Sequence, residues 1–118
     1  MRVKIKRVYE PQSAGDGYRV LIDKLWPRGI RKENLHYDLW AKDIAPSTPL
    51  RQWYHGQPEE RWLQFRTKYL AELQDSPAVG EFLDQVAGQK VVTLLYASRN
   101  AVENHALILK DFLEKASD

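Results

Sequence analysis

Apolar and polar residues alternate at the start of the chain and give way to more continuous apolar runs further along. Val3 and Ile5 alternate with charged neighbours over residues 2–8, which is the two-residue period of a half-buried strand. Residues 18–25 predict a second, more buried strand, and residues 90–97 lack alternation, as in a central parallel strand with both faces covered. Between the first two strands, a hairpin and a loop that crosses to a nearby strand both remain open.

Three helices are predicted in the middle of the chain, and each has a proline at its start, where the missing amide hydrogen costs nothing. The first is capped by a hydroxyl at position 47 or 48 and ends by Gly56. The second and strongest runs from Pro58 to about Asp75, and the third runs from Ser76 to Gly88. One stripe of the second helix is apolar and predicts its buried face: Trp62, Phe65, Tyr69 and Leu73.

The last helix is predicted to follow the 90–97 strand at once, with Asn100 as its cap and Glu103 completing a capping box. An extended piece is predicted around residues 37–42. Strands that are separated and followed by helices indicate the α/β class. We therefore predict a single layered domain over residues 1–118, with a small, largely parallel or mixed sheet flanked by helices.

Composition narrows the class of protein. The 118 residues suffice for one domain, and a hydrophobic share of 43% with 29% charged residues is typical of globular chains. The chain has no cysteine, which excludes disulfides, thiolate nucleophiles and thiolate metal sites. Its first residues lack the apolar stretch of a signal peptide, and its apolar runs are too short to cross a bilayer. These features predict a cytoplasmic protein with no membrane partner.

The charge is unevenly distributed along the chain. Residues 1–32 carry nine lysines and arginines against three acids, although the net charge of the whole chain is only +2. This asymmetry is compatible with an anionic ligand or a nucleic acid near the N-terminal third. The alternative interpretation is that water-exposed strand faces simply carry lysine and arginine.

Two loops at the predicted carboxyl ends of strands are the best candidates for a binding site, because ligands of α/β sheets collect there. The first loop begins at Asp23 and includes Arg28. The second contains Ser98 and Arg99 and leads to a helix start, whose free amides could hold an anion together with Arg99. Asn104 is placed in the same predicted cleft. The alternative is that these residues are ordinary loop cations and helix caps.

His105 and Asp23 are the candidates for acid–base chemistry. His105 lies on the apolar stripe of the last helix, and its ordinary pKa near neutrality suits a general acid or base. It could equally be a hydrogen-bonded histidine at the edge of the core. Arg66 falls within the apolar stripe of the second helix, so it could cover the core, pair with Asp23 or reach the cleft, to which Arg51 could also contribute.

Several kinds of site are not predicted. No cluster of histidines and acids has the spacing of metal ligands, so no metal site is expected. The chain contains no glycine-rich phosphate loop, nucleophile elbow or dinucleotide fingerprint, and we expect no cofactor.

The sequence resembles the YeaO-like proteins, a short branch of family 488 of domains of unknown function. The resemblance spans nearly the whole chain, and its most specific block is DGYRVLIDKLWPRG at residues 16–29. Longer family members carry an Asp-x-Arg block after an early strand, which Asp23 and, approximately, Arg28 match. They also carry a cysteine where this chain has Tyr96, and a Cys-His-Arg helix start of which only His105 is present. The resemblance thus implies a site at the same edge of the sheet, without the family's cysteines.

The function predicted from these features is binding of a small anion in a cleft at the strand ends. In the stronger form of this hypothesis, the protein is an enzyme that acts on a phosphorylated or nucleotide-like small molecule, with His105 or Asp23 as acid or base. The cleft would be lined by Asp23, Arg28, Ser98, Arg99, Asn104 and His105, with Arg51 and Arg66 as further contributors. The alternative is a nucleic-acid-binding or regulatory module that uses the basic N-terminal third, and a protein-interaction role is a third possibility. The sequence leaves the oligomeric state open.

Overall fold

A computed structural model of the chain describes residues 1–116 as an α/β fold with four strands and four α-helices. The strands are β1 (Arg2–Arg7), β2 (Tyr18–Leu21), β3 (Leu39–Trp40) and β4 (Val91–Tyr96). The helices are α1 (Thr48–Gly56), α2 (Pro58–Asp75), α3 (Pro77–Val86) and α4 (His105–Ala116). None of the helices in residues 1–116 has both the length and the hydrophobicity needed to span a bilayer.

The four strands form one parallel sheet in the order β1-β4-β2-β3. The predicted α/β class with a largely parallel sheet is therefore confirmed. β4 lies between β1 and β2, so the segment that joins these two strands is a crossing loop and not a hairpin. β4 is covered on both faces, as its continuous apolar sequence predicts: residues 92–96 are all buried.

The helices cover one face of the sheet. Alternate residues of the strands, such as Val3, Val20 and Leu94, join a core cluster with apolar residues of all four helices. The opposite face is covered by the loop after β2, where Leu21, Leu35 and Leu95 form a smaller cluster with half-buried aromatic residues around it. The sheet thus has a helical side and a loop side. Residues from both sides lie next to each other at the carboxyl ends of the strands.

The first two helices have the predicted bounds, and the third starts as predicted but ends at Val86, before the predicted Gly88. The Ser47 hydroxyl accepts a hydrogen bond from the Leu50 amide at 3.3 Å, and the Ser76 hydroxyl accepts one from the Ala78 amide at 3.2 Å. These bonds satisfy amides that have no partner within their own helix. Phe65, Tyr69 and Leu73 are buried on α2, as predicted, whereas Trp62 of the same stripe is half-buried.

The predicted start of the last helix is wrong. Asn100 accepts hydrogen bonds from the amides of Val102 and Glu103, but these close an isolated turn, and α4 begins only at His105. The N-cap is Asn104, whose side-chain oxygen accepts a hydrogen bond from the Leu107 amide at 3.0 Å. The N-cap of α4 consequently lies four residues further along the chain than predicted.

Replacing Asn104 with alanine should therefore lower the free energy of unfolding by about 1 kcal/mol, the usual value of a lost N-cap. Urea denaturation measures this change. Asn104→Ser should retain most of the stability, because a serine hydroxyl caps as well as an amide oxygen. A larger loss for Asn100→Ala than for Asn104→Ala would contradict this assignment of the cap.

A polar cluster lies beneath the loop side of the sheet. Asp16 forms ion pairs with Lys6, at 2.8 Å, and with Arg19 of β2, and it accepts hydrogen bonds from the amide and hydroxyl of Ser13. Arg19 is only 2% exposed. Burial would by itself raise the pKa of Asp16, but the bonds from Lys6, Ser13 and Arg19 together hold that pKa well below its usual range.

Candidate functional site

A cavity of about 580 Å³ opens at the carboxyl edge of the sheet. Its walls come from the loops that follow β1, β2 and β4, from one side of α1, and from single residues of α2 and α4. This is where parallel α/β sheets usually bind ligands, because the strand ends leave a crevice there. The volume lies within the range of small-molecule sites.

The cavity has an excess of positive charge. Among residues 1–116, four cationic side chains line it, namely Lys24, Arg28, Arg51 and Arg99, whereas Asp23 is the only carboxylate. Within residues 1–116, none of these four cations forms an ion pair with an acidic side chain. The Nε atom of Arg51 is buried and has no hydrogen-bond partner in this part of the chain.

Asp23 joins the ends of three strands. Its Oδ2 accepts a hydrogen bond from the Ala97 amide at 2.9 Å, just after β4. Its backbone oxygen accepts one from the indole of Trp40, in β3, at 2.8 Å. Because Asp23 itself follows β2, these bonds keep the strand ends together and fix the floor of the cavity.

His105 occupies the first position of α4 and faces Asp23. Its Nε2 lies 3.1 Å from the Ile22 carbonyl oxygen and 3.1 Å from Asp23 Oδ1. Only the carbonyl contact has hydrogen-bond geometry, so Oδ1 accepts no hydrogen bond from residues 1–116. A carbonyl oxygen can only accept, and Nε2 therefore carries the hydrogen. The ring also packs edge-on against Tyr69 with its centroid 6.3 Å away.

Tyr69, which packs against the His105 ring, is itself held by a hydrogen bond. It is fully buried on α2, and its hydroxyl donates a 2.6 Å hydrogen bond to the Ile44 carbonyl. Burial raises the pKa of Tyr69 well above its usual value, and the nearby charges of Glu72 and Asp23 act in the same direction. The phenol therefore stays protonated, and its ring remains packed against the ring of His105.

Six of the predicted site residues meet at this cavity, namely Asp23, Arg28, Arg51, Ser98, Arg99 and His105. The roles of these six residues in binding or catalysis stay predictions. The other two, Arg66 and Asn104, do not line it. Arg66 is exposed on α2 and forms no ion pair with Asp23, and Asn104 is the buried N-cap of α4, with its side-chain amide donating to the Asn100 carbonyl at 2.8 Å.

Some cavity residues were missed by the sequence analysis. His55 lies one helical turn after Arg51 on α1, so that both face the cavity, and this four-residue spacing was the signal that could have revealed it. Partial burial lowers the pKa of His55, and the charges of Arg51 and His105 lower it further. The depressed pKa of His55 is consistent with the positive environment of the cavity. Tyr54 and Phe65 form an aromatic wall beside it, with ring centroids 4.3 Å apart.

A second cavity of about 340 Å³ lies next to the first, and Tyr9 lines both. The Tyr9 hydroxyl donates a 2.9 Å hydrogen bond to the Arg28 carbonyl, which ties the loop after β1 to the loop after β2. In residues 1–116, no group of three or more histidines and acids is arranged to hold a metal ion.

The fold and the cavity define an α/β domain with a cationic cleft at the carboxyl edge of a parallel sheet. A family model described as "Inactive DUF488-N3 subclade" matches residues 2–118. The chain is 47% identical over 113 residues to the uncharacterized protein YeaO of Escherichia coli (strain K12), covering 96% of this chain and 97% of that protein. It is 46% identical over 112 residues to the uncharacterized protein Rv3073c of Mycobacterium tuberculosis (strain ATCC 25618 / H37Rv), covering 95% and 93% of the two chains. No solved structure matches it.

The chain therefore belongs to the DUF488 family, within its YeaO-like branch. The resemblance carried by residues 16–29 is confirmed over nearly the whole length. Tyr96, where the resemblance implies a cysteine in longer family members, is 4% exposed.

Proposed function

We propose that the protein binds a small phosphate-bearing molecule in the cationic cavity and does not itself transform it. The observation that carries this proposal is the set of four cavity cations without an acidic partner. Cations grouped in a partly enclosed cavity raise the local potential, which favours an anion over water. Arginine in particular matches the geometry of phosphate oxygens, because its guanidinium can donate two parallel hydrogen bonds.

The size of the cavity favours an organic phosphate over a lone ion. A volume of about 580 Å³ is far larger than one phosphate needs, and the walls include apolar and aromatic side chains as well as the cations. Trp26 is held in place among these, because its indole donates a 2.6 Å hydrogen bond to the Ile30 carbonyl and packs against Tyr37 and Trp40.

Two observations favour binding over catalysis. First, Asp23 and His105 already make hydrogen bonds that keep the strand ends together, which gives each a positioning role in the site. Second, the family model is described as an inactive subclade. A general acid or base role for His105 and Asp23 stays a prediction that turnover assays with bound phosphates can test.

The proposal predicts that Arg28→Ala and Arg99→Ala each weaken the binding of pyrophosphate or an organic phosphate by about tenfold or more, as expected for the loss of one charged hydrogen bond. Isothermal titration calorimetry measures the affinity. The matched control is Arg66→Ala, which removes the same charge from an exposed position outside the cavity. Equal weakening by Arg66→Ala, or no binding of any phosphate by the unaltered protein, would refute the proposal.

A nucleic-acid-binding role is the alternative, and the structure provides fewer free cations for it than the sequence suggests. Of the basic residues in the N-terminal third, Lys6 and Arg19 are paired with Asp16, and Arg7 donates to the carbonyls of Ala97 and Ser98. Repeating the titration with a long oligonucleotide at rising salt separates the two roles. A binder of the phosphate backbone loses affinity steeply with salt, in proportion to the number of phosphates it contacts.

A further inference from the structure

The second cavity differs from the first in charge. Its lining cation, Arg19, is neutralised by Asp16, and the one carboxylate that lines it within the described residues, that of Glu10, accepts a hydrogen bond from the Arg7 amide at 3.1 Å. It therefore offers no unpaired cation to a second phosphate. Its polar groups also include the amide side chains of Gln12 and Asn34, which make no hydrogen bond within residues 1–116. Each of these amides can both donate and accept.

The apolar side chains that line the second cavity are those of Val8, Pro11, Ile30 and Leu35, and His36 adds a further polar group. A small cavity that combines apolar walls with amide side chains suits a flat, uncharged group that has both donors and acceptors on its rim. A nucleobase has this chemistry, because its faces stack on apolar or aromatic surface and its edges form hydrogen bonds.

Tyr9 lies between the two cavities and is held in position. Its hydroxyl is bonded to the Arg28 carbonyl, and the Arg7 guanidinium lies 4.9 Å from its ring centroid. The side chain is nevertheless 46% exposed, so ring surface remains available to a ligand. An exposed aromatic ring that is fixed at its edge and beside a cation is a suitable platform for stacking, since little conformational freedom is lost when the ligand binds.

We infer that the ligand is a nucleotide, with its phosphate among the cations of the first cavity and its base in the second cavity, against Tyr9. This inference rests on the proposed function for the position of the phosphate. It adds a base subsite formed by Tyr9, Gln12 and Asn34. The nucleotide can be a free mononucleotide or the phosphorylated end of a strand, since the chemistry that the two cavities recognise is the same.

Calorimetric titration with inorganic phosphate, adenosine monophosphate, adenosine and a 5′-phosphorylated oligoadenylate tests the inference. We expect the mononucleotide to bind about tenfold or more tightly than phosphate, the usual size of one base-stacking contact. Tyr9→Leu and Asn34→Leu should reduce this ratio, Tyr9→Phe should retain it because the ring remains, and Arg66→Ala should not alter it. Tighter binding of the oligoadenylate than of the mononucleotide would identify a strand end as the source, and equal binding would identify a free nucleotide.

The outcomes distinguish this inference from the proposed function. If phosphate binds and the mononucleotide binds no better, the base subsite is refuted while the anion site stands. If the mononucleotide is preferred but Tyr9→Leu leaves the ratio unaltered and Tyr54→Leu abolishes it, the base lies against the aromatic wall of the first cavity, and the assignment to Tyr9 is overturned. If neither phosphate nor nucleotide binds, the proposed function itself fails.

Discussion

Replacing Asp16 with alanine should lower the free energy of unfolding by about 3–5 kcal/mol, which is the usual cost of removing one partner from a buried ion pair. Asp16 is 4% exposed and is the acidic partner of both Lys6 and Arg19. Without it, the Arg19 guanidinium would stay in the interior with only the His36 carbonyl as an acceptor. Urea denaturation at neutral pH measures the loss.

The pH dependence gives a second test of the same residue. Because the folded pKa of Asp16 is held below its unfolded value of about 3.9, its stabilising effect is present above about pH 4 and is lost as the pH falls further. The difference between the unaltered protein and Asp16→Ala should therefore shrink below that pH. Asp111→Ala, which removes an exposed acid from α4, is the control and should cost little at any pH. A small, pH-independent effect of Asp16→Ala would contradict the buried pair.

Replacing Gly17 with alanine should destabilise the protein by about 3 kcal/mol or more, because strain and overpacking act together there. Gly17 has a φ of +62°, a conformation that L side chains rarely adopt. A Cβ atom at this position would lie 2.5 Å from the backbone oxygen of Val91 and 2.8 Å from its Cβ. Val91 begins the strand next to β2, so its backbone cannot move away without disturbing the sheet.

The control for Gly17 is a glycine whose replacement by alanine should stabilise the protein instead of destabilising it. Gly80 lies on the exposed side of α3, and an added Cβ would meet no atom within 4 Å. Gly80→Ala should raise the free energy of unfolding by about 0.5–1 kcal/mol, because alanine has the higher helix propensity. Thermal denaturation of the two variants measures both effects, and a shift of the same sign in both would refute the argument from backbone geometry.

The fold was predictable wherever a local pattern had only one physical interpretation. The apolar run of β4 required a strand buried on both faces, and each proline after a hydroxyl or a turn marked a helix start. The last helix was misplaced because Asn100 and Asn104 are one helical turn apart, and both accept hydrogen bonds from following amides. A local capping pattern cannot show which of two such turns continues into a helix.

The candidate site was predictable in its location but not in all of its walls. Asp23 and Arg99 follow strands, and the ends of parallel strands meet at one edge. The exposure of Arg66 was not predictable, because a helical wheel does not show how far neighbouring elements cover one face of a helix. Trp62 and Leu70, on either side of Arg66 on that face, are only half-buried. The contribution of α1 depends on how that helix lies against the sheet, which is a property of the tertiary structure.

The position of β4 in the sheet also constrains when the fold can form. Among the described strands, β1 pairs with β4 alone, and β2 reaches its principal neighbour when residues 91–96 are inserted between β1 and β2. During synthesis on the ribosome, the first strand consequently has no strand to pair with until about three-quarters of the chain has been made. The native sheet, and with it the crevice at its edge, then assembles in a late step after translation of β4, with contacts between residues far apart in sequence.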